Sequence, residues 1–153
     1  SQMYKGDADC SLIAQVKNNP RMNIPVFGNG DVDTPEKTVE YRDRFGIDGI
    51  MIGRASIGAP WIFNEIKHFM KTGEHLAPPT IKERIAAASM HFEGSLQWKG
   101  VRLGIVEMRR HYANYFKGIP DFKKHRLDLV TIDTVDEIRA KLVEIADLYL
   151  AEI

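Results

Sequence analysis

Twice in the first half of the chain, a short run of apolar, β-prone residues ends at a glycine turn. Ile24-Pro25-Val26-Phe27 runs into Gly28-Asn29-Gly30-Asp31, and Asp48-Gly49-Ile50-Met51-Ile52 runs into Gly53-Arg54-Ala55. Runs this short and this apolar suit strands covered on both faces better than helices. Pro25 is tolerable because it falls at the beginning of its strand. Between the runs, Thr34-Pro35-Glu36 marks a helix start: threonine can cap free amides, and proline at the first helical position gives up no useful donor. Gly46 after Phe45 supplies the left-handed stop. An earlier helix is expected over Ala8 to Lys17, with Leu12, Ile13 and Val16 at helical spacing and Pro20 beyond its end. The order helix, strand, turn, helix, strand, turn predicts βα units with a parallel sheet.

After Gly53 the strand signals stop. Pro60 to Lys71 reads as a helix closed by Gly73, and Pro78-Pro79 makes a hinge. Thr80-Ile81-Lys82-Glu83 and Thr134-Val135-Asp136-Glu137 both match the capping box, so each opens a helix. Two more helices are expected at about Arg102 to Phe116 and Phe122 to Leu129. The last helix sets Val135, Ile138, Leu142, Ile145 and Tyr149 on one face, with Arg139, Lys141, Glu144 and Asp147 away from it. The fold class is therefore α/β then all-α, divided near the hinge into residues 1–78 and residues 79–153. Two strands alone leave open edges and apolar faces, which predicts self-association of the chain through its uncovered strands.

In parallel α/β structures ligands sit at the carboxyl ends of strands, and the last two turns of a (β/α)8 barrel commonly hold a phosphate. Glycine lets the backbone approach a dianion, the following helix N-terminus favours negative charge, and Arg54 offers a charged fork. A single such turn is more often a mere turn. Two in succession, separated by one helix and one strand, could converge on one phosphate. Asp31 reads equally as a phosphate-loop residue or as a solvated turn residue.

Cationic and anionic residues balance at 21 each, yet their distribution is uneven. Residues 99–126 hold eight Lys and Arg against two acids, whereas residues 127–153 hold two against seven. The basic block comprises Lys99, Arg102, Arg109, Arg110, Lys117, Lys123, Lys124 and Arg126, interrupted by Tyr112, Tyr115 and Phe116. Arg102, Arg109 and Arg110 fall near one helical face, as a phosphate-directed RNA surface requires. A solvated helix face explains the charges as well, and the three aromatic residues read as packing rather than base-stacking platforms. Cys10 is the only cysteine, and the five histidines lack the close spacing of a zinc helix, so no metal is expected. The apolar runs are too short for a membrane span, the start lacks the pattern of a signal peptide, and a cytoplasmic location is expected.

The stretch from Ile24 to Val32, followed by Gly53-Arg54-Ala55-Ser56-Ile57-Gly58-Ala59-Pro60-Trp61-Ile62-Phe63, resembles the tRNA-dihydrouridine synthase family. Other FMN barrels, such as dihydroorotate dehydrogenases, share the paired phosphate turns but are not expected to continue into Gly-x-Pro-Trp-Ile-Phe and a helical domain. The resemblance covers essentially the whole chain, and Ser1 to Gly6 is similar to the loop after the family's histidine and arginine motif. It implies the last two βα units of a (β/α)8 TIM barrel followed by a C-terminal helical bundle domain that binds tRNA. Asn29, Gly30, Asp31, Gly53 and Arg54 are carried over as FMN contacts, and Arg102, Arg109, Arg110 and Lys117 as RNA-binding residues. The implied activity is reduction of uridine to 5,6-dihydrouridine in tRNA by FMN, with NADPH as reductant. The family's catalytic cysteine belongs to an earlier part of the barrel; Cys10 is not that residue, and this piece alone is expected to be inactive. Another FMN or phosphate-binding barrel oxidoreductase, or a non-enzymatic helical RNA-binding module, remain the alternatives.

Overall fold

The computed structural model describes residues 10–150; the readings that rest on Ser1 to Gly6 and on a helix start at Ala8 lie outside the described residues. The chain divides into two compact units, one of residues 1–57 and 61–76 and one of residues 58–60 and 77–153.

The first unit runs α1 (Ser11–Lys17), β1 (Phe27–Asn29), α2 (Pro35–Phe45), β2 (Gly49–Met51), a 3-10 turn (Arg54–Ser56) and α3 (Ile62–Thr72). The two strands pair in parallel, with Phe27 opposite Gly49 and Asn29 opposite Met51. The first strand therefore begins later than its apolar run. Pro25 has no N–H to give a ladder, and the Val26 N–H is taken instead by the Asp48 carboxylate at 2.7 Å. The Val26 carbonyl in turn accepts from the Asp48 N–H at 2.9 Å. Thr34 caps α2 by accepting from the Lys37 N–H, and Gly46 ends the helix at φ 63°. Cys10, Phe45 and Ile47 form the core, packed by Ile13, Ala14, Val26, Tyr41 and Ile50. Only Gly28 of β1 is buried, and Phe27 and Met51 are exposed, as expected where two strands alone leave apolar faces uncovered. Alternate residues of a strand face opposite ways, and the core lies on the Gly28 side.

The second unit contains α4 (Ile81–Tyr115), α5 (Lys123–Thr131) and α6 (Val135–Leu150). A straight α4 would hold His91 and His111 about 30 Å apart. Their ring centroids are 4.6 Å apart, because Gly100 at φ 76°, ψ 170° reverses the chain and makes α4 a helical hairpin. The arms meet at Gly104, where a Cβ would lie 3.0 Å from the Leu96 backbone nitrogen. The Ser95 hydroxyl donates to the Gly104 carbonyl at 3.4 Å. Thr80 makes a full capping box with Glu83, and the Thr134 hydroxyl donates to the Glu137 carboxylate at 2.7 Å. Phe92, Met108, Tyr112, Leu129, Ile138 and Ile145 are fully buried, so α4, α5 and α6 share one core. Lys141 departs from expectation. It is buried rather than turned outward, because its stem packs inward while its ammonium reaches Asp128 at 2.7 Å and Glu144 at 2.9 Å.

Gly58 belongs to this unit and sits at φ 65°, where a Cβ would lie 2.6 Å from the His111 carbonyl and 2.9 Å from the Tyr115 N–H nitrogen. Both neighbours are helix backbone and cannot give way. Gly58→Ala should therefore destabilise the second unit by about 2–3 kcal/mol in denaturant unfolding, from strain and overpacking together.

The paired histidines make the hairpin acid-sensitive. Burial, then the charges of His91, Arg110 and Lys99, push His111 from 6.5 down to about 4. Burial, Lys99 and Arg110 also lower His91. Between pH 6.5 and about 4 the unfolded chain binds protons that the folded hairpin refuses, so stability falls as pH falls through that window. Thermal melts at stepped pH should show this slope, and His111→Phe should flatten it relative to the parent.

Candidate functional site

The register of the sheet brings the two glycine turns to one place. Asn29 and Met51 are partners at the ends of their strands, so the chain leaves both strands at the same end of the sheet. Gly30 at φ 158° and Asp31 at φ 44° form the first turn, Asp31 in a left-handed conformation that a non-glycine residue adopts only at some cost. Val32 is buried and anchors the turn, and the N-terminus of α2 follows at Thr34. In the second turn, Gly53 has φ −97° and ψ −99°, and its carbonyl accepts from the Ser56 N–H at 3.0 Å and the Ser56 hydroxyl at 2.8 Å.

An ion pair closes the gap between the turns: the Arg54 guanidinium donates to the Asp31 carboxylate. Asp31 is thus neither purely solvated nor aimed only outward; its carboxylate holds the arginine. Of the five residues expected at this site, Asp31 and Arg54 touch directly, and Asn29, Gly30 and Gly53 shape the turns that carry them. Lys37 is an addition that sequence reasoning missed. Its ammonium bonds the Asp31 carbonyl at 3.2 Å and the Asp33 carboxylate at 2.8 Å. The signal was present, since Lys37 lies in the first turn of the helix opened by Thr34-Pro35. A Cβ at Gly53 would meet nothing within 4 Å, so the chain itself does not require a glycine there. Two cations, unobstructed backbone and a helix N-terminus lie together here, each cation already paired with a carboxylate, Arg54 with Asp31 and Lys37 with Asp33, that an oxyanion would compete with.

The basic residues of the second unit are less uniform than their sequence block suggests. Arg102 and Lys117 are exposed. Arg110 is also exposed, bonded to His111 Nε2 at 3.4 Å and 3.7 Å from Glu107. Arg109 is drawn inward, donating to the Asp133 carboxylate and to the Ile132 carbonyl at 3.5 Å, so it braces α4 against the segment between α5 and α6. Tyr112, Tyr115 and Phe116 are buried packing residues. Trp98 is 85% exposed beside Lys99, an aromatic surface residue that the block of charges did not single out.

Among the described residues, no helix is long and apolar enough to cross a membrane, and no group of three or more His, Cys, Asp or Glu is arranged to hold a metal ion.

Comparison with known proteins places the site in context. Residues 1–149 match the family model described as dihydrouridine synthase. A probable tRNA-dihydrouridine synthase of Rickettsia conorii is 34% identical over 143 residues, covering 94% of this chain and 43% of the relative. The tRNA-dihydrouridine synthase B of Pseudomonas aeruginosa is 34% identical over 136 residues, covering 89% of this chain and 40% of the relative. That of Shewanella oneidensis is 38% identical over 135 residues, covering 88% and 41%. This chain thus spans about two fifths of the length of these curated relatives, and with a family match over nearly all of its residues it belongs to the dihydrouridine synthase family.

Proposed function

We propose that this chain is the C-terminal portion of an FMN-dependent tRNA-dihydrouridine synthase, an oxidoreductase acting on uridine in tRNA. In this reading residues 1–78 complete a (β/α)8 barrel, and residues 79–153 form a helical domain that meets the tRNA in the cytoplasm. The observation that carries it is the Asp31–Arg54 ion pair, which joins two turns at the same end of adjacent parallel strands. Family membership supplies the reaction, and the names of the relatives supply tRNA as substrate.

The residues fit the phosphate of FMN. Arg54 would take its oxygens as a fork, held in place by Asp31, while Asn29, Gly30 and Gly53 bring the backbone close and Lys37 adds charge. When bound, FMN would, once reduced by NADPH, supply the hydride for the uracil ring. The turns of this chain would fix the far end of the cofactor, so that its ring is oriented by a grip remote from the chemistry. Cys10 takes no part in proton transfer, since it is buried in the α1–α2 core at 4% exposure. The exposed Phe27 and Met51 support self-association when this piece is alone, and with no catalytic cysteine of its own it would be inactive by itself.

A chimera tests this directly: the Pseudomonas synthase with its matching C-terminal portion replaced by this chain, expressed in cells lacking their own synthases. Mass spectrometry of the tRNA should show dihydrouridine restored, and Arg54→Ala should remove both the flavin absorbance and the product. A folded, yellow chimera that modifies no tRNA would sink the reading.

The exposed and the braced arginines should separate in a second measurement. Arg102→Glu with Lys117→Glu should weaken tRNA binding and reduce its salt dependence with little change in melting temperature. Arg109→Glu, by contrast, sets a like charge against Asp133 and should lower the melting temperature as well.

A further inference from the structure

The α4 hairpin encloses more than a core. Between its arms lies a half-open cleft of about 330 Å³ lined by His91, Gly94, Trp98, Lys99, Glu107 and His111. This is the low end of the size range of ligand sites, room for a single ring system rather than a peptide. Trp98 lies at its edge with 85% of its surface exposed. Glu107 pairs with Lys99 and lies 3.7 Å from Arg110, so two cations gather about this one lining residue.

Gly94 is the second observation. It lies in the interior of a helix, where glycine is about 1 kcal/mol less favourable than alanine. A Cβ there would meet nothing within 4 Å, so packing gives no reason for its absence. What the missing side chain leaves open is the cleft it lines.

We propose that this cleft is a subsite for one unpaired nucleotide of tRNA, its base stacked on the indole of Trp98 and its flanking phosphates taken by Lys99 and Arg110. The inference rests on the tRNA reading given above and names where on the helical unit a nucleotide is held. Chemistry favours a nucleotide over an apolar protein segment. An apolar segment would strip water from the Lys99–Glu107 ion pair and give nothing in return, whereas a base offers both a π-face and hydrogen-bonding edges. Lys99 and Arg110, with Glu107 as the one acid beside them, leave a net positive charge that complements a polyanion. A base in a loop or at an end of RNA is already unstacked and reaches such a site without breaking a helix.

The test uses the full chain with an unmodified tRNA transcript and a short single-stranded RNA. Trp98→Ala removes an exposed side chain and should leave the melting temperature unchanged, while affinity for both RNAs falls by roughly five- to a hundredfold, the range of a lost base stack. Trp98→Phe should retain most of the binding. Gly94→Leu should raise the melting temperature yet weaken binding, a combination that a purely structural glycine does not give. Trp98→Ala and Gly94→Leu chains that bind like the parent, while Arg102→Glu still weakens binding, would overturn the subsite and leave the tRNA reading standing. No salt-sensitive binding of either RNA by the parent chain would bring down both.

Discussion

The carboxylate of Asp48 fixes the first unit. A ladder three residues long on each strand is a weak determinant of register, and Pro25 removes a donor just where the ladder would otherwise extend. Asp48 replaces what is lost: it accepts from the Val26 N–H, and Lys17 at the end of α1 holds it at 2.6 Å. The Lys17 hydrogen bond, followed by the Val26 N–H, keeps the carboxyl well below its usual range, so it serves as an anion at any ordinary pH. Because a one-residue slip in a strand would turn every side chain to the other face, this anchor decides that Gly28 faces the core, while the parallel pairing sends both glycine turns out at one end. The Asp31–Arg54 pair depends on that alignment.

In the second unit a comparable role falls to the reversal at Gly100. A left-handed φ at that single residue turns one long stretch of helix into two antiparallel arms, and Gly104 lets them approach to backbone contact. The close approach brings two half-buried histidines together, and burial with the neighbouring cations pushes both below the usual imidazole range. The same geometry opens a cleft on the flank where Trp98 stands exposed. One bend therefore brings together the arms of α4, the two histidines and the cleft.

Charge in this protein is divided between bracing and display. Arg109 and Lys141 look like surface cations in the sequence but are turned to carboxylates of the same unit, Asp133 for the first and Asp128 with Glu144 for the second. Arg102, Arg110 and Lys117 remain at the surface. Spacing along a helix gives direction around its axis and nothing about what lies there, so whether a cation meets water or a carboxylate depends on chain segments far away in sequence.

The sequence by itself determined the elements whose causes are local. The Thr34-Pro35 start and Gly46 stop of α2, the Thr80–Glu83 capping box, the stop at Gly73 and the apolar face Ile138, Leu142, Ile145 all stand as their residues dictate, because caps and periodicity act within a few residues. The two glycine turns and the family resemblance were also legible, and the family match bears out the resemblance. Tertiary structure alone decided the rest. It shifted the first strand to Phe27, because a side chain 22 residues away took the Val26 donor. It gave Asp31 to Arg54, buried Lys141, and folded α4 back at Gly100 so that His91 and His111 meet. Each of these requires partners distant in sequence, and their positions are fixed only when the packing as a whole is complete.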